Sequence, residues 1–453
     1  MFYNRTNELA VLENEYLKSG SAFTVIYGRR RIGKTALITE YIRNKPAIFY
    51  YATEGNIKNQ LDQLTGLVLR FFEKSYLENV RFDSFEQLFI FISEHIGEQK
   101  IVFVIDEYQQ LVKLENSLSS ILQKCWDLYF KSKNIHIILC GSLISMMYSE
   151  TLDYSSPLYG RRTSSIHLKG LRFKYIPDFI PAISKLDQMQ VYASFGTVPK
   201  YLETYQVRDD FITNIKTQIL NKNAYLYNEV RFLLKEEIRD TATYFSILET
   251  IAGGEQKIGK IGAKLGVPTH HLSRYMQKLA DLDIIEKEIP VTENEMSKSK
   301  LGRYRIKDQF IRFWFYFVYR NYSYLEINKS ELVLKELENN FNEKFVAIAF
   351  EEYVKEQILD EPEKYLSFIP FKIGRWWNNK EEIDLVAFDE QNVAFIECKW
   401  QTQKTGYSVY SNLKRKSEQV QVPGTRKEEY VIFSKNGFKE SLKEANCRCF
   451  QYL

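Results

Sequence analysis

One run of eight residues near the amino terminus constrains this chain more than any other feature. Gly28-Arg29-Arg30-Arg31-Ile32-Gly33-Lys34-Thr35 follows the apolar segment Phe23 to Tyr27 and opens a helical stretch. Glycines at both ends let the backbone wrap closely around a phosphate chain, and N–H groups at the mouth of a helix point inward at the anion. The expected cradle is Gly28, Arg31, Ile32, Gly33, Lys34, Thr35 and Ala36. Lys34 is placed to reach the β and γ phosphates, and the Thr35 hydroxyl to reach Mg²⁺, a hard cation with few protein ligands. The preceding strand and following helix argue against a chance match in an ordinary glycine turn. The run therefore predicts a parallel α/β sheet that binds a nucleoside triphosphate.

Two later segments extend that prediction. Ile101 to Ile105 is a continuous β-branched and aromatic run, of the kind buried on both faces of a parallel sheet, and it ends in Asp106-Glu107. This is a Walker B arrangement: Asp106 would hold Mg²⁺ through water, and Glu107 would orient or polarise the attacking water. A further strand, Ile135 to Leu139, leads into Cys140-Gly141-Ser142. Ser142 either senses the γ phosphate or caps the next helix. In Tyr159-Gly160-Arg161-Arg162, one of the two guanidiniums is a candidate arginine finger, the alternative being a surface ion pair.

A chain of 453 residues exceeds a single core, and domain sizes suggest two to four. The net charge of +4, from 62 basic and 58 acidic residues, means that any nucleic-acid footprint must be local. Five cysteines and five histidines form no CxxC pair and no zinc-ligand set, which points to a reducing, cytoplasmic setting. Residues 1–16 lack the apolar core of a signal peptide, and Phe310 to Tyr319 is far short of the ~20 residues needed to cross a bilayer. No membrane span is expected.

After a charged connector over 207–239, apolar spacing predicts three helices: one around Ile247 to Ala252, Ile258 to Leu265, and Leu272 to Leu282, with Thr269 capping the third. Ile284 to Ile289 and Tyr304 to Ile306 alternate like the strands of a wing, with Ser297 to Lys300 at its tip. Such a winged helix would offer His270, His271, Ser273 and Arg274 to bases or phosphates, and Lys298 and Lys300 to the DNA backbone. The alternative is a lid or oligomer interface for the nucleotide domain. Phe310, Phe313, Trp314, Phe317 and Val318 fall on one helical face and read as a packing stripe.

Near the carboxyl end, Ile383 to Phe388 and Val393 to Trp400 read as two strands joined at 389–392. With a period of two, Glu397 and Lys399 share one face while Cys398 turns away, and Asp384 on the neighbouring strand can meet Glu397. Asp384 followed by Glu397-Cys398-Lys399 resembles the PD-(D/E)xK nuclease superfamily, which implies that the two carboxylates and the Cys398 carbonyl hold Mg²⁺ beside a phosphodiester, with Lys399 steering water or neutralising the phosphate. Glu351, on a helix expected over 342–358, would complete the shell. Its neighbour Glu352 points about 100° away and cannot share that role.

These segments resemble two known groups. Asn4-Arg5-x-x-Glu8-Leu9, the loop Gly28 to Thr35, Pro157 to Arg162 and Phe195-Gly196-Thr197-Val198-Pro199-Lys200-Tyr201 resemble the archaeal-type ATPase family, a STAND and AAA-like branch of P-loop proteins. That resemblance implies that Arg5 and Pro199 flank the adenine and that the nucleotide is ATP. In the nuclease-like segment, Ile383 stands where the name of the PD-(D/E)xK superfamily has proline. Together the two resemblances imply an α/β multidomain chain. A P-loop NTPase parallel sheet occupies 1–206, a helical connector and winged helix 207–326, and an α/β restriction-endonuclease-like domain 327–453. The implied function is an ATPase coupling nucleotide state to DNA binding and Mg²⁺-dependent cleavage, with homo-oligomers as possible assemblies. The alternative is a STAND-type switch whose last domain only binds.

Overall fold

The computed structural model describes residues 2–74, 81–238, 240–422, 427–442 and 444–453. They form two compact units, Met1–Leu171 with Val198–Lys200, and Arg172–Thr197 with Tyr201–Leu453.

The first unit is a parallel sheet of β1 (Ala22–Tyr27), β2 (Ala47–Tyr51), β3 (Ile101–Asp106), β4 (Ile135–Gly141) and β5 (Ser164–His167). Their order across the sheet is β2-β3-β4-β1-β5. Every residue of β3 and β4 is buried, the pattern expected where helices cover both faces. Phe103, Ile105, Ile137 and Leu139 pack in one core with Leu64 and Val68 of the helix Ile57–Phe71 and with Leu88 and Phe89 of the helix Phe85–His95. Asn56 and Ser84 cap those helices, accepting from the Asn59 amide at 2.8 Å and the Gln87 amide at 3.3 Å. The strand order inserts β4 between the glycine-loop strand β1 and the acidic-tipped β3. That insertion decides what the phosphate site contains.

The second unit holds the helices Thr241–Ala252, Ile258–Leu265 and Thr269–Asp281, then β6 (Ile285–Glu288) paired antiparallel with β7 (Arg303–Ile306). Gly266, at φ 65°, ends the second helix in the left-handed region. A Cβ on Gly262 would lie 2.7 Å from the Val267 carbonyl oxygen, so the turn after the second helix folds back onto a position with room only for glycine. Thr269 does not cap the third helix as its sequence suggests: it is the first helical residue, and Pro268 occupies the cap. Proline's fixed φ suits that boundary without a side-chain bond.

The aromatic helix around Phe310 also differs from expectation. It is no one-sided stripe, because Phe315 and Tyr316 are buried along with Phe310, Phe313, Trp314, Phe317 and Val318. Trp314 donates its indole N–H to the Tyr227 carbonyl at 2.7 Å, Phe315 packs on Phe245, and Phe313 meets Phe341 and Phe345. The charged connector expected over 207–239 is packed where it is described. Leu226, Tyr227, Val230 and Leu234 within it are all at most 1% exposed.

The last sheet comprises β8 (Lys372–Trp377), β9 (Glu382–Phe388), β10 (Asn392–Lys399), β11 (Lys427–Ser434) and β12 (Arg448–Gln451), in the order β12-β11-β10-β9-β8. β8, β9 and β10 run as an antiparallel meander, and β10, β11 and β12 are parallel. The helices Ala347–Asp360 and Tyr407–Ser417 pack against β9 and β10. Ile383, Val386, Phe395, Leu413 and Ile432 build the core beneath them.

Candidate functional sites

The glycine run folds as a loop between β1 and the helix Lys34–Ile42, whose first turn contains Thr35 and Ala36. Gly28 has φ 153°, and a Cβ there would lie 2.4 Å from the Leu168 carbonyl oxygen, so only glycine fits beside the chain leaving β5. Arg31 at φ 69° and Gly33 at φ 94° complete the curl. Inside it, Lys34 Nζ donates to the carbonyls of Gly28 at 2.8 Å and Arg29 at 3.0 Å. Burial holds the Lys34 ammonium below its ordinary pKa, with Cys140, Glu107 and Asp106 pulling the other way. A phosphate would give this buried cation a matching anion.

β3 delivers the acids. Thr35 Oγ1 donates to Asp106 Oδ2 at 2.7 Å, linking loop and strand tip where a hard cation would be shared. Glu107 has φ 55°, which turns its backbone out of the strand. Its Oε2 accepts from Ser142 Oγ at 2.7 Å and from the Gln109 amide. Ser142 reaches Glu107 because β4 lies beside β3, and its bond goes to that carboxylate, while Leu143 occupies the cap of the next helix. Gln109, fully buried, was not singled out in the sequence. A glutamine two residues beyond an acid carries no periodic signal.

Arg5 is buried and has φ 72°. Its guanidinium donates to the Ile32 carbonyl at 3.1 Å and the Lys169 carbonyl at 2.6 Å, and it pairs with Glu8 at 3.1 Å. Burial lowers its pKa, against the pull of Glu8. Arg5 thus braces the phosphate loop. Pro199 opens the short helix Pro199–Leu202. Arg161 pairs with Asp127 at 3.1 Å and Arg162 donates to the Thr151 carbonyl at 3.1 Å, so neither guanidinium is gathered with Lys34, Thr35, Asp106, Glu107 and Ser142.

The second cluster lies where β9 meets β10. Asp384 Oδ2 accepts from the Cys398 amide at 2.8 Å. Lys399 Nζ lies 2.7 Å from Glu397 Oε1, and Lys416, from the helix Tyr407–Ser417, lies 3.4 Å from the same oxygen. Glu397 Oε2 is buried and has no hydrogen-bond partner. Burial, with Glu397 alongside, pushes Asp384 up from the usual carboxylate range, and Lys399 is raised by Glu397 and Asp384 against the effect of its own burial. Glu351 is bonded to Arg375, and its neighbour Glu352 to Arg305. Burial raises Glu351, Arg375 opposes that, and Asp384 adds to it. Among the described residues, no group of three or more His, Cys, Asp or Glu is gathered around a common metal position. Lys416 and Arg375 are not among the site residues that the sequence suggests. The only trace of Lys416 was the basic run Lys414-Arg415-Lys416.

His270, His271, Ser273 and Arg274 are all exposed on the first turns of the helix Thr269–Asp281. Lys298 and Lys300 are exposed between β6 and β7, with Lys298 paired to Glu295 at 2.6 Å.

Residues 2–205 match an ATPase domain found predominantly in Archaea, and residues 314–414 match a family of archaeal and bacterial proteins of unknown function. An uncharacterized protein of Methanocaldococcus jannaschii is 34% identical over 455 residues, covering 99% of each chain. The chain belongs to the archaeal-type ATPase family. A shorter uncharacterized ATP-binding protein of the same organism is 44% identical over 45 residues, 10% of this chain and 76% of its own. The Walker-type ATPase of Pyrococcus abyssi shares the fold with a TM-score of 0.54 at 19% identity, covering 69% of this chain and 96% of that one. This member of the archaeal-type ATPases is therefore a nucleotide-binding P-loop protein of multidomain α/β architecture. No helix among its described residues is long and apolar enough to cross a membrane.

Proposed function

We propose that this archaeal-type ATPase works in the cytoplasm, using ATP to set the state of a winged-helix module and a Mg²⁺-dependent nuclease-like site on DNA. The observation that carries the reading is the unpartnered, buried Glu397 Oε2 beside Asp384. A buried carboxylate oxygen without a partner is costly, and a cation is the partner it lacks. Two carboxylates and the Cys398 carbonyl suit Mg²⁺, which keeps several waters and needs no larger protein cage. When bound, the cation would acidify an attacking water and offset charge on the leaving oxygen. Lys399 and Lys416 hold positive charge at the same place, where the Lys399 ammonium neutralises the phosphate being attacked.

At the other end, Lys34 and the loop amides bind the phosphates of ATP, while Thr35, and Asp106 through water, would hold a second Mg²⁺ that offsets phosphate charge. Glu107 offers its Oε1 to water while Gln109 and Ser142 hold Oε2. Arg161 or Arg162 would act as a finger only after leaving its present partner. The helix Thr269–Asp281 presents His270, His271, Ser273 and Arg274 to DNA, with Lys298 and Lys300 from the wing.

The test is incubation with plasmid or single-stranded DNA and Mg²⁺ or Mn²⁺, comparing wild type with Asp384→Ala and Lys399→Ala. Metal-dependent cutting lost in both variants is expected; absence of both cutting and low-salt DNA retention in the wild type would sink the reading. One observation favours the rival switch with a catalytically idle last domain. Arg375 holds Glu351, leaving two carboxylates instead of three for the metal. In that case the protein would change mass in solution with ATP, Lys34→Ala would not, and no DNA would be cut.

A further inference from the structure

Within the second unit, a cavity of 340 Å³ opens between the end of the helix Thr241–Ala252, β7 and the aromatic helix. Its wall is basic: Arg305, Arg312, Arg375 and Lys344 line it, with Glu343 as the one acid at its mouth. Carboxylates do neutralise two of these arginines, but from behind. Arg305 is paired with Glu286, Glu288 and Glu352, and Arg375 with Glu351, none of which lines the cavity.

Arg312 and Lys344 have no carboxylate in ion-pair contact among the described residues. Arg312 donates to the Lys344 carbonyl and lies over the Phe345 ring at 4.4 Å, while Lys344 donates to the Tyr316 hydroxyl at 3.0 Å. Burial, then the neighbouring Arg375 and Arg305, lowers Arg312 to about 9. Glu351 and Glu352 oppose that shift from a distance, without an ion-pair contact to Arg312.

Two residues of the lining carry a buried polar atom without a partner. Arg375 Nε and Gln309 Oε1 are buried without hydrogen-bond partners, and Gln309 is only 9% exposed. An anion in the cavity would meet Arg312 and Lys344, the two cations of the lining that no carboxylate pairs, with Arg375 and Gln309 beside them. Tyr316 and Phe345 add an apolar wall beside them. The volume falls at the lower end of the roughly 300–1,000 Å³ typical of small-molecule pockets, too confined for a polymer strand to pass through.

We propose that this cavity is a second anion site, separate from the Gly28–Thr35 loop, that takes the phosphoryl group of a small phosphorylated molecule. The site stands whether or not the nuclease-like cluster cuts DNA.

The experiment uses the full chain carrying Lys34→Ala, so that binding at the phosphate loop is suppressed. Inorganic phosphate, adenosine monophosphate and a short single-stranded oligonucleotide are titrated separately by calorimetry. Saturable binding of phosphate or the monophosphate is expected, weakened about tenfold or more by Arg312→Met and by Lys344→Met, each of which removes one charge-assisted contact. A monophosphate that binds tighter than phosphate means that the aromatic wall contributes; equal affinities assign the binding to the phosphoryl group alone. Lys344 is exposed, so Lys344→Met keeps the test intact if Arg312→Met fails to fold. The proposal is overturned by an absence of binding to both small probes, by binding that neither variant changes, or by binding of the oligonucleotide alone.

Discussion

At the scale of single residues, Glu107 illustrates how one side chain serves through its neighbours. Ser142 and Gln109 both bond Oε2 of its carboxylate, and the proposed mechanism gives Oε1 to the attacking water. Glu107→Gln should keep ATP binding and slow hydrolysis by about 10²–10⁴, the usual loss of a positioned base. Nucleotide binding and phosphate release measured on one preparation decide it, and unchanged hydrolysis would remove Glu107 from the mechanism. His136 makes a separate prediction about stability. It is wholly buried on β4 between Thr24 Oγ1 at 2.7 Å and Tyr41 Oη at 2.8 Å, and burial, aided by nearby lysines, pushes its pKa down to about 3. A histidine whose folded pKa lies below its unfolded value contributes its full stability above about pH 6.5. As pH falls, the unfolded chain takes up the proton first, costing roughly 1.4 kcal/mol per unit until the folded value is reached. Denaturation midpoints at about pH 7.5 and about pH 5 should therefore fall further for wild type than for His136→Gln. Parallel falls would assign the pH dependence to other groups.

At the scale of elements, much of the pattern was legible. The strand before the glycine loop and the helix after it, the acidic tip of β3, and the pair β9–β10 follow from hydrophobic runs, caps and a period of two, which are local properties. The aromatic helix was read less well, because a helix buried all round has no polar face to set its phase, and a one-sided stripe was inferred from only part of it. Thr269 fell one position from the expected cap because Pro268 supplies the boundary conformation. The helix that starts there carries its own prediction. Arg274 is exposed and has no part in the core formed by Leu272, Met276 and Leu279. If that helix meets DNA, Arg274→Ala should leave thermal stability unchanged and lower DNA affinity. Loss of one phosphate contact would reduce the slope of log affinity against log salt by about 1. An unchanged affinity and slope would assign this surface to another partner.

At the scale of the whole molecule, the proposed coupling separates two kinds of variant. Lys34→Ala should abolish ATP retention and, with it, any effect of ATP on DNA retention or cutting. Asp384→Ala should abolish cutting while ATP hydrolysis continues at the wild-type rate. Parallel assays of phosphate release and DNA cleavage on both proteins test this, and cutting by Lys34→Ala that equals wild type with ATP would uncouple the two sites. The sequence by itself determined the phosphate loop, the Asp106-Glu107 tip and the Asp384, Glu397 and Lys399 spacing. Each depends on backbone geometry within a few residues or on strand alternation. Only the tertiary structure decided that Ser142 and Gln109 hold Glu107, that Arg5 braces Ile32, that Arg375 occupies Glu351, and that Arg312 faces a cavity. Those pairings depend on β4 entering between β1 and β3, and on helices far apart in the chain packing together. No local pattern of residues encodes such distances.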